Sequence, residues 1–274
     1  MAESNRVLVL ICLYKNDKEK YFSKALESIL NQTYPNFTIF LNIDGAIDKS
    51  IEDYLRKYIG DKRIIINSNL INRGLPHRLN EGINYAIENN YDLVARMDSD
   101  DISFLNRFQL QVDFLKSNNH VDIIGGQAKT ISDEGNIIGD LSLPLKHDKL
   151  KRQFIFRSPL IHPAVMARTD FFKKAGYYSE HFRQGQDYEL WFRALKNNCI
   201  FNNLPNKIIY HRIDESFFSG RRSSKTRAKN LFLLRRKAIR ELDLSAFNYL
   251  IAFLIYVYAF LPSFLKRIAY NKFR

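Results

Sequence analysis

Short, wholly apolar runs that alternate with segments of helical period constrain this chain more than any other feature. Residues 7–13 (VLVLICL) are too short for a membrane span and predict a strand buried on both faces of a parallel sheet. The period then changes. Tyr21, Phe22, Ala25, Leu26, Ile29 and Leu30 recur at helical spacing, which predicts an amphipathic helix closed by Pro35. Further strands are expected at 37–43, 63–66 and 92–97, separated by helical segments near 50–58 and 77–89. Such alternation builds βαβ units, so the expected fold class is α/β, a mostly parallel central sheet with helices on both faces. Beyond Asp101 the pattern loosens. It predicts a helix over 106–117, a strand over 121–125, a loop-rich stretch to Pro163 and a strand over 164–167. Helices from Thr169 and over 187–197, and short strands near Ile200 and Ile208, complete the body.

With 274 residues, 46% hydrophobic and 26% charged, the chain can bury a sizeable core, which argues against a disordered, collagenous or many-span membrane protein. Cys12 and Cys199, the only cysteines, each sit in an apolar run. They offer no disulfide framework and no thiolate metal cluster, and they fit a reducing cytosol. No signal-peptide cleavage pattern follows the N-terminus. Charge is distributed unevenly. Residues 219–274 carry thirteen Lys and Arg against Glu241 and Asp243, so that segment holds most of the +13 net charge. The expected division is a nearly balanced body, 1–218, and a basic appendage, 219–274, that meets an anionic surface.

In open α/β sheets, ligands bind outside the carboxyl ends of the strands. Asp44, followed by Gly45, ends the second predicted strand, where it serves either a tight turn or a ligand. Asp98, Asp100 and Asp101 follow the strand ending at Met97. Three carboxylates in four residues repel one another unless a cation or a set of donors compensates. A hard divalent ion with oxygen ligands, Mg²⁺ or Mn²⁺, is one compensator; a solvated acidic turn capping the next helix is the other use of these residues.

The run Asp98-Ser99-Asp100-Asp101 resembles the DxD signature of inverting glycosyltransferases of family 2, which have the GT-A fold. The order of other motifs agrees: Glu27-Ser28-Ile29-Leu30-Asn31-Gln32-Thr33-Tyr34, Asn72-Arg73-Gly74-Leu75 with Asn80-Glu81-Gly82-Ile83, His162-Pro163-Ala164-Val165-Met166, and Gly185-Gln186-Asp187-Tyr188-Glu189-Leu190-Trp191. The resemblance implies a UDP-sugar donor, with Asp44 on the uracil imide, Asp98 near the ribose, and Asp100, alongside Asp98, on a Mn²⁺ or Mg²⁺ that carries the diphosphate. It makes Asp187 the general base and Asp101 a supporting group. Outside this motif context, stabilising a helix N-terminus is the ordinary use of such an Asp. Arg73 and Arg78 are candidates for the diphosphate, although an arginine at a helix start is commonly solvated. His162 fits either a site-lining or a structural role, and Trp191 a core role. Related sequences carry Arg-x-His near residue 212; here Asp214 stands at that His position, after His211.

Nine basic residues between Arg221 and Arg240, and an uncharged run over 247–265, mark the appendage. The run is at the lower limit for a span, and Pro262 and its tyrosines favour helices lying on the inner leaflet of the cytoplasmic membrane. A hairpin packed on the body is the alternative. The expected partners are thus a UDP-sugar, a lipid-linked saccharide acceptor in bacterial surface polysaccharide synthesis, and an anionic membrane. Two other classes fit less well. A sugar-nucleotide pyrophosphorylase needs a glycine-rich phosphate loop where this chain has Leu13-Tyr14-Lys15-Asn16-Asp17, and a nucleic-acid binder does not fit the nearly neutral body.

Overall fold

The computed structural model describes residues 4–182, 184–213 and 225–261. Strands β1 (Val7–Leu13), β2 (Phe37–Asp44), β3 (Ile64–Asn69) and β4 (Leu93–Met97) form a parallel unit in the order β3-β2-β1-β4. The sheet continues through β8 (Met166–Arg168), β6 (Ile123–Ile131), β9 (Phe201–Arg212) and β5 (Ile102–Ser103), and β7 (Ile137–Leu141) pairs with β6. In this half β6 and β9 run parallel, while β8 runs antiparallel to both β4 and β6.

The helices are α1 (Glu19–Leu30), α2 (Lys49–Leu55), α3 (Leu75–Glu88), α4 (Arg107–Ser117), α5 (His147–Gln153), α6 (Thr169–Ala175), α7 (Gln186–Lys196), α8 (Lys225–Glu241) and α9 (Phe247–Tyr258). Alternation along β1 feeds two cores. Val7, Val9 and Ile11 join Phe22, Leu26 and Ile29 of α1, whereas Leu8 and Leu10 join Leu79 and Ile83 of α3. Each such fully buried side chain contributes roughly 1.5–3 kcal/mol relative to an exposed one. Helix α3 lies so close to β1 that a Cβ on Gly82 would sit 2.5 Å from Leu10 Cδ2, which explains a glycine in mid-helix.

Departures from the expected elements fall after Asp101. The stretch expected to be loop contains the rest of β6, together with β7 and α5. The strand expected at 164–167 is present but starts later, as β8, after a 3₁₀ turn at His162–Ala164. The two short strands near Ile200 and Ile208 are one strand, β9, whose register against β6 shifts around Gln127, where Pro205 and Asn206 are exposed. Trp191 is in the core, 1% exposed.

The C-terminal helices pack as a pair on the body. Leu231, Leu234, Ala238 and Ile239 of α8 share one apolar cluster with Leu190 and Trp191 of α7. Helix α9 folds back on α8, with the rings of Phe232 and Tyr256 stacked 4.8 Å apart. Among the described residues no helix is long and apolar enough to cross a membrane. Pro262 and the end of the uncharged run, like Asp214, lie outside the described residues.

Candidate functional site

Because β1, β2 and β4 are parallel, their carboxyl ends deliver Tyr14–Asp17, Asp44 and Asp98–Asp101 to one edge of the sheet. Asp44 is buried and well supplied with donors. Its Oδ1 accepts from the Arg73 backbone N–H at 2.8 Å and from Arg78 Nε at 2.7 Å, and its Oδ2 accepts from the Gly74 N–H at 2.8 Å. A carboxylate offers about four lone-pair positions, so one on Oδ2 is left for a ligand. The expectation that Arg78 is solvated is overturned. It is 1% exposed, forks onto Glu81 and the Ile71 carbonyl as well as Asp44, and ties the 71–74 loop to the sheet. Glu81 is on the same helix, but Asp44 and Ile71 lie outside it, which a view of the helix start alone does not show. Arg73 has an exposed side chain on that loop.

The acidic turn finds most of its compensation within the protein. Arg96, inside the apolar strand β4, is buried and pairs with Asp98. Asp101, fully buried, accepts from the Arg212 N–H at 2.7 Å and lies 3.0 Å from His211 Nδ1. The pairing of β5 with Ile209 and Tyr210 brings these β9 groups to the turn. Asp100 stands apart. It is exposed at the rim, yet desolvation and the charges of Asp101 and Asp98 push its carboxyl up to about 8, with His211 opposing. Ligand oxygens of Asp98, Asp100 and Asp101 lie within 4.8 Å of one another. This hard, anionic and incompletely neutralised donor set fits Mg²⁺ or Mn²⁺.

Gln32, from the motif after α1, holds the segment behind the acidic turn. Its amide donates to the Phe104 carbonyl at 2.7 Å and accepts from the Phe108 N–H at 3.0 Å. Arg107, fully buried beneath the turn, donates to the carbonyls of Arg96 and Val165, and burial lowers its guanidinium to about 9.

Asp187 occupies the first turn of α7 and is partly exposed. The ring nitrogen of His162 is 2.8 Å from the Tyr178 hydroxyl, and its ring centre is 6.1 Å from that of Trp191 of α7. Burial, then the charge of Arg96, lowers the His162 imidazole, while Asp187 and Asp98 both act on it in the opposite sense. Asp187 and Asp98 thus both favour the charged form of one buried imidazole.

Sequence reasoning passed over Asp17 and left Arg96 without a role. An arginine within the apolar run Leu93–Met97 was the available signal, since such a charge must be paired. Asp17 accepts from Ser99 Oγ and from the Tyr14 N–H, both at 2.7 Å, and so joins the end of β1 to the acidic turn. Burial pushes its carboxyl up to about 6. Between pH 4 and 6 the unfolded chain loses this proton before the native protein does, so the group removes stability as pH rises through that window. Asp17→Asn is accordingly expected to stabilise the chelator-treated protein at pH 7.5 by up to about 3 kcal/mol, with no gain near pH 3.5. Urea unfolding at the two pH values checks this; equal effects at both would contradict it.

The family model described as Glycosyl transferase family 2 matches residues 8–176. The O-antigen biosynthesis glycosyltransferase WbnJ of Escherichia coli is 30% identical over 211 residues, covering 76% of this chain and 79% of that protein. The E. coli UDP-Gal:alpha-D-GlcNAc-diphosphoundecaprenol beta-1,3-galactosyltransferase is 29% identical over 211 residues, covering 76% and 74%. Among solved structures, S. aureus TarS 1-349 in complex with UDP-GlcNAc superposes with a TM-score of 0.67 at 19% identity, over 92% of this chain and 70% of that one. At that identity the likeness shows the GT-A-like fold.

Proposed function

The chain belongs to glycosyl transferase family 2, and from that premise we propose that it is an inverting transferase moving a hexose or N-acetylhexosamine (galactose, glucose or an N-acetyl form) from a UDP-sugar to a lipid-linked saccharide in bacterial surface polysaccharide synthesis. The observation that carries this reading is the hard-donor turn of Asp98, Asp100 and Asp101, with ligand oxygens within 4.8 Å of one another, at the sheet edge that also carries Asp44. The UDP-GlcNAc complex of TarS and the diphosphoundecaprenol substrate in the E. coli relative's name support the donor and the acceptor class.

In this reading Asp44, oriented by its three donors, presents its remaining Oδ2 position to the uracil imide. Arg73 faces the diphosphate and Asp98 the ribose. Asp98 and Asp100 would hold Mn²⁺ or Mg²⁺, which when bound supplies Lewis-acid stabilisation of the charge on the departing diphosphate. Asp187 takes the proton of the acceptor hydroxyl as that oxygen bonds to the anomeric carbon. The bond from that carbon to the UDP oxygen breaks on the opposite face, so the configuration inverts. Asp101 holds the turn on β9.

Residues 1–218 supply this chemistry, and residues 219–274 carry the surface that meets the cytoplasmic face of the inner membrane. Phe247, Leu250, Phe253 and Leu254 of α9 are each more than half exposed, and Lys229, Arg236 and Arg240 of α8 are exposed nearby in the same helical pair. Apolar insertion flanked by cations is the pattern of an interfacial helix on anionic lipid. Phe253→Glu with Leu254→Glu is expected to abolish sedimentation with phosphatidylglycerol vesicles; undiminished binding would remove α9 from the membrane surface.

The test of function is transfer from radiolabelled UDP-sugars to lipid-linked saccharides, with Mn²⁺ and with chelator. Metal-dependent product from one donor identifies the sugar. Absence of UDP binding would overturn the reading.

A further inference from the structure

Helix α8 follows α7 in matched register. Gly185, which caps α7 at φ +79°, is so close to α8 that a Cβ there would come within 3.0 Å of Leu231 Cδ2. One turn along, the Arg235 guanidinium lies 5.2 Å from the centre of the Tyr188 ring. Lys237 then lies 5.5 Å from the centre of the Phe192 ring, and Lys196 pairs with Glu241 at 2.8 Å. The contacts therefore advance in the same direction on both helices.

Arg235 makes the most specific of these contacts. It is buried, and its Nε donates to the Ile155 carbonyl at 2.8 Å. Tyr188, also buried, stacks on Phe154 at 4.2 Å and donates its hydroxyl to the Phe154 carbonyl. Two successive carbonyls, those of Phe154 and Ile155, are thus held by a side chain from α7 and one from α8. Packing alone would be served by a leucine or methionine at 235. A guanidinium must have a carbonyl and an aromatic face to offset its desolvation, and it then fixes direction as well as distance.

Asp187 lies between Gly185 and Tyr188, in a first helical turn where backbone N–H groups have no intrahelical partners. A general base must be held to a fraction of an ångström, and a displacement of about 1 Å can cost on the order of 10²-fold in rate. We propose that Arg235 is a positioning residue for Asp187. Helix α8, in the basic C-terminal segment, completes the active site by clamping the first turn of α7 through Arg235 and Tyr188. This rests on Asp187 being the base.

The experiment uses the full chain and measures release of UDP from the donor, together with UDP binding, for Arg235→Ala, Arg235→Lys and Asp187→Asn. Arg235→Ala is expected to lower kcat on the order of 10²-fold while donor KM and UDP affinity stay within about twofold. Arg235→Lys, which keeps the charge over Tyr188 and loses the planar fork, is expected to be intermediate. Should Arg235→Ala fail to fold, the lysine variant and Tyr188→Phe carry the test with the same kcat-selective signature. Wild-type kcat in folded Arg235 variants beside an inactive Asp187→Asn would overturn the positioning role alone, and a parallel loss of kcat and donor affinity would also overturn it. Full activity of Asp187→Asn would instead remove the base assignment beneath it.

Discussion

Asp187→Asn is expected to turn over the donor ~10²–10⁴-fold more slowly than wild type, with UDP affinity unchanged within about twofold. The amide preserves the size of the carboxylate and can still face the N-terminus of α7, so loss of the favourable charge–dipole interaction costs only about 0.3–1 kcal/mol of stability. The amide cannot accept the acceptor's proton at neutral pH. Single-turnover transfer beside calorimetric UDP binding separates the two effects. A variant that transfers at the wild-type rate places the base elsewhere, and a variant that loses both rate and UDP binding makes Asp187 part of the donor site.

Asp100→Ala is expected to remove saturable Mn²⁺ binding and to cut transfer by on the order of 10³-fold, the rate equivalent of several kcal/mol of metal stabilisation. Its effect on folding runs the other way. In the metal-free protein Asp100 is the carboxylate raised to about 8 by desolvation and by Asp101 and Asp98, so removing it relieves crowding at the turn and raises thermal stability. Asp98→Ala would instead strand Arg96, which is buried against it, and so lower stability. Cation titration and thermal melts in chelator test the pair. Undiminished Mn²⁺-dependent transfer by Asp100→Ala would remove the residue from the metal site.

The parallel half of the fold was legible because a strand covered on both faces reads as an unbroken apolar run, as at Val7–Leu13, and because α1 and α7 keep a clear helical period. The second half was less so. β5 is two residues long, β7 is an exposed strand beginning with two solvent-facing isoleucines, and α5 buries only Leu150. None of these has enough periodicity to register. Pro205 and Asn206 divide β9 in sequence although the strand runs on through irregular pairing with β6. Position at strand ends singled out Asp44 and the Asp98–Asp101 turn as candidates, while their roles came only with the family resemblance. Position did not reveal the groups that hold them. Arg78 and Arg212 look like surface charges until the fold brings Asp44 and Asp101 to them from 34 and 111 residues away.

That last separation bears on when the site forms during synthesis. The carboxylate of Asp101 depends on the backbone of Arg212, and β5 depends on β9, so the Asp101 end of the acidic turn lacks these partners while only the N-terminal half of the chain has been made, even though Asp17, Gln32 and Arg96 already hold the rest of it. Closing so long a loop carries an entropic cost that is recovered only when β9 docks beside β6. A nascent chain can therefore assemble the four-stranded parallel unit early, while its acidic turn stays unfinished until residue 212 has left the ribosome.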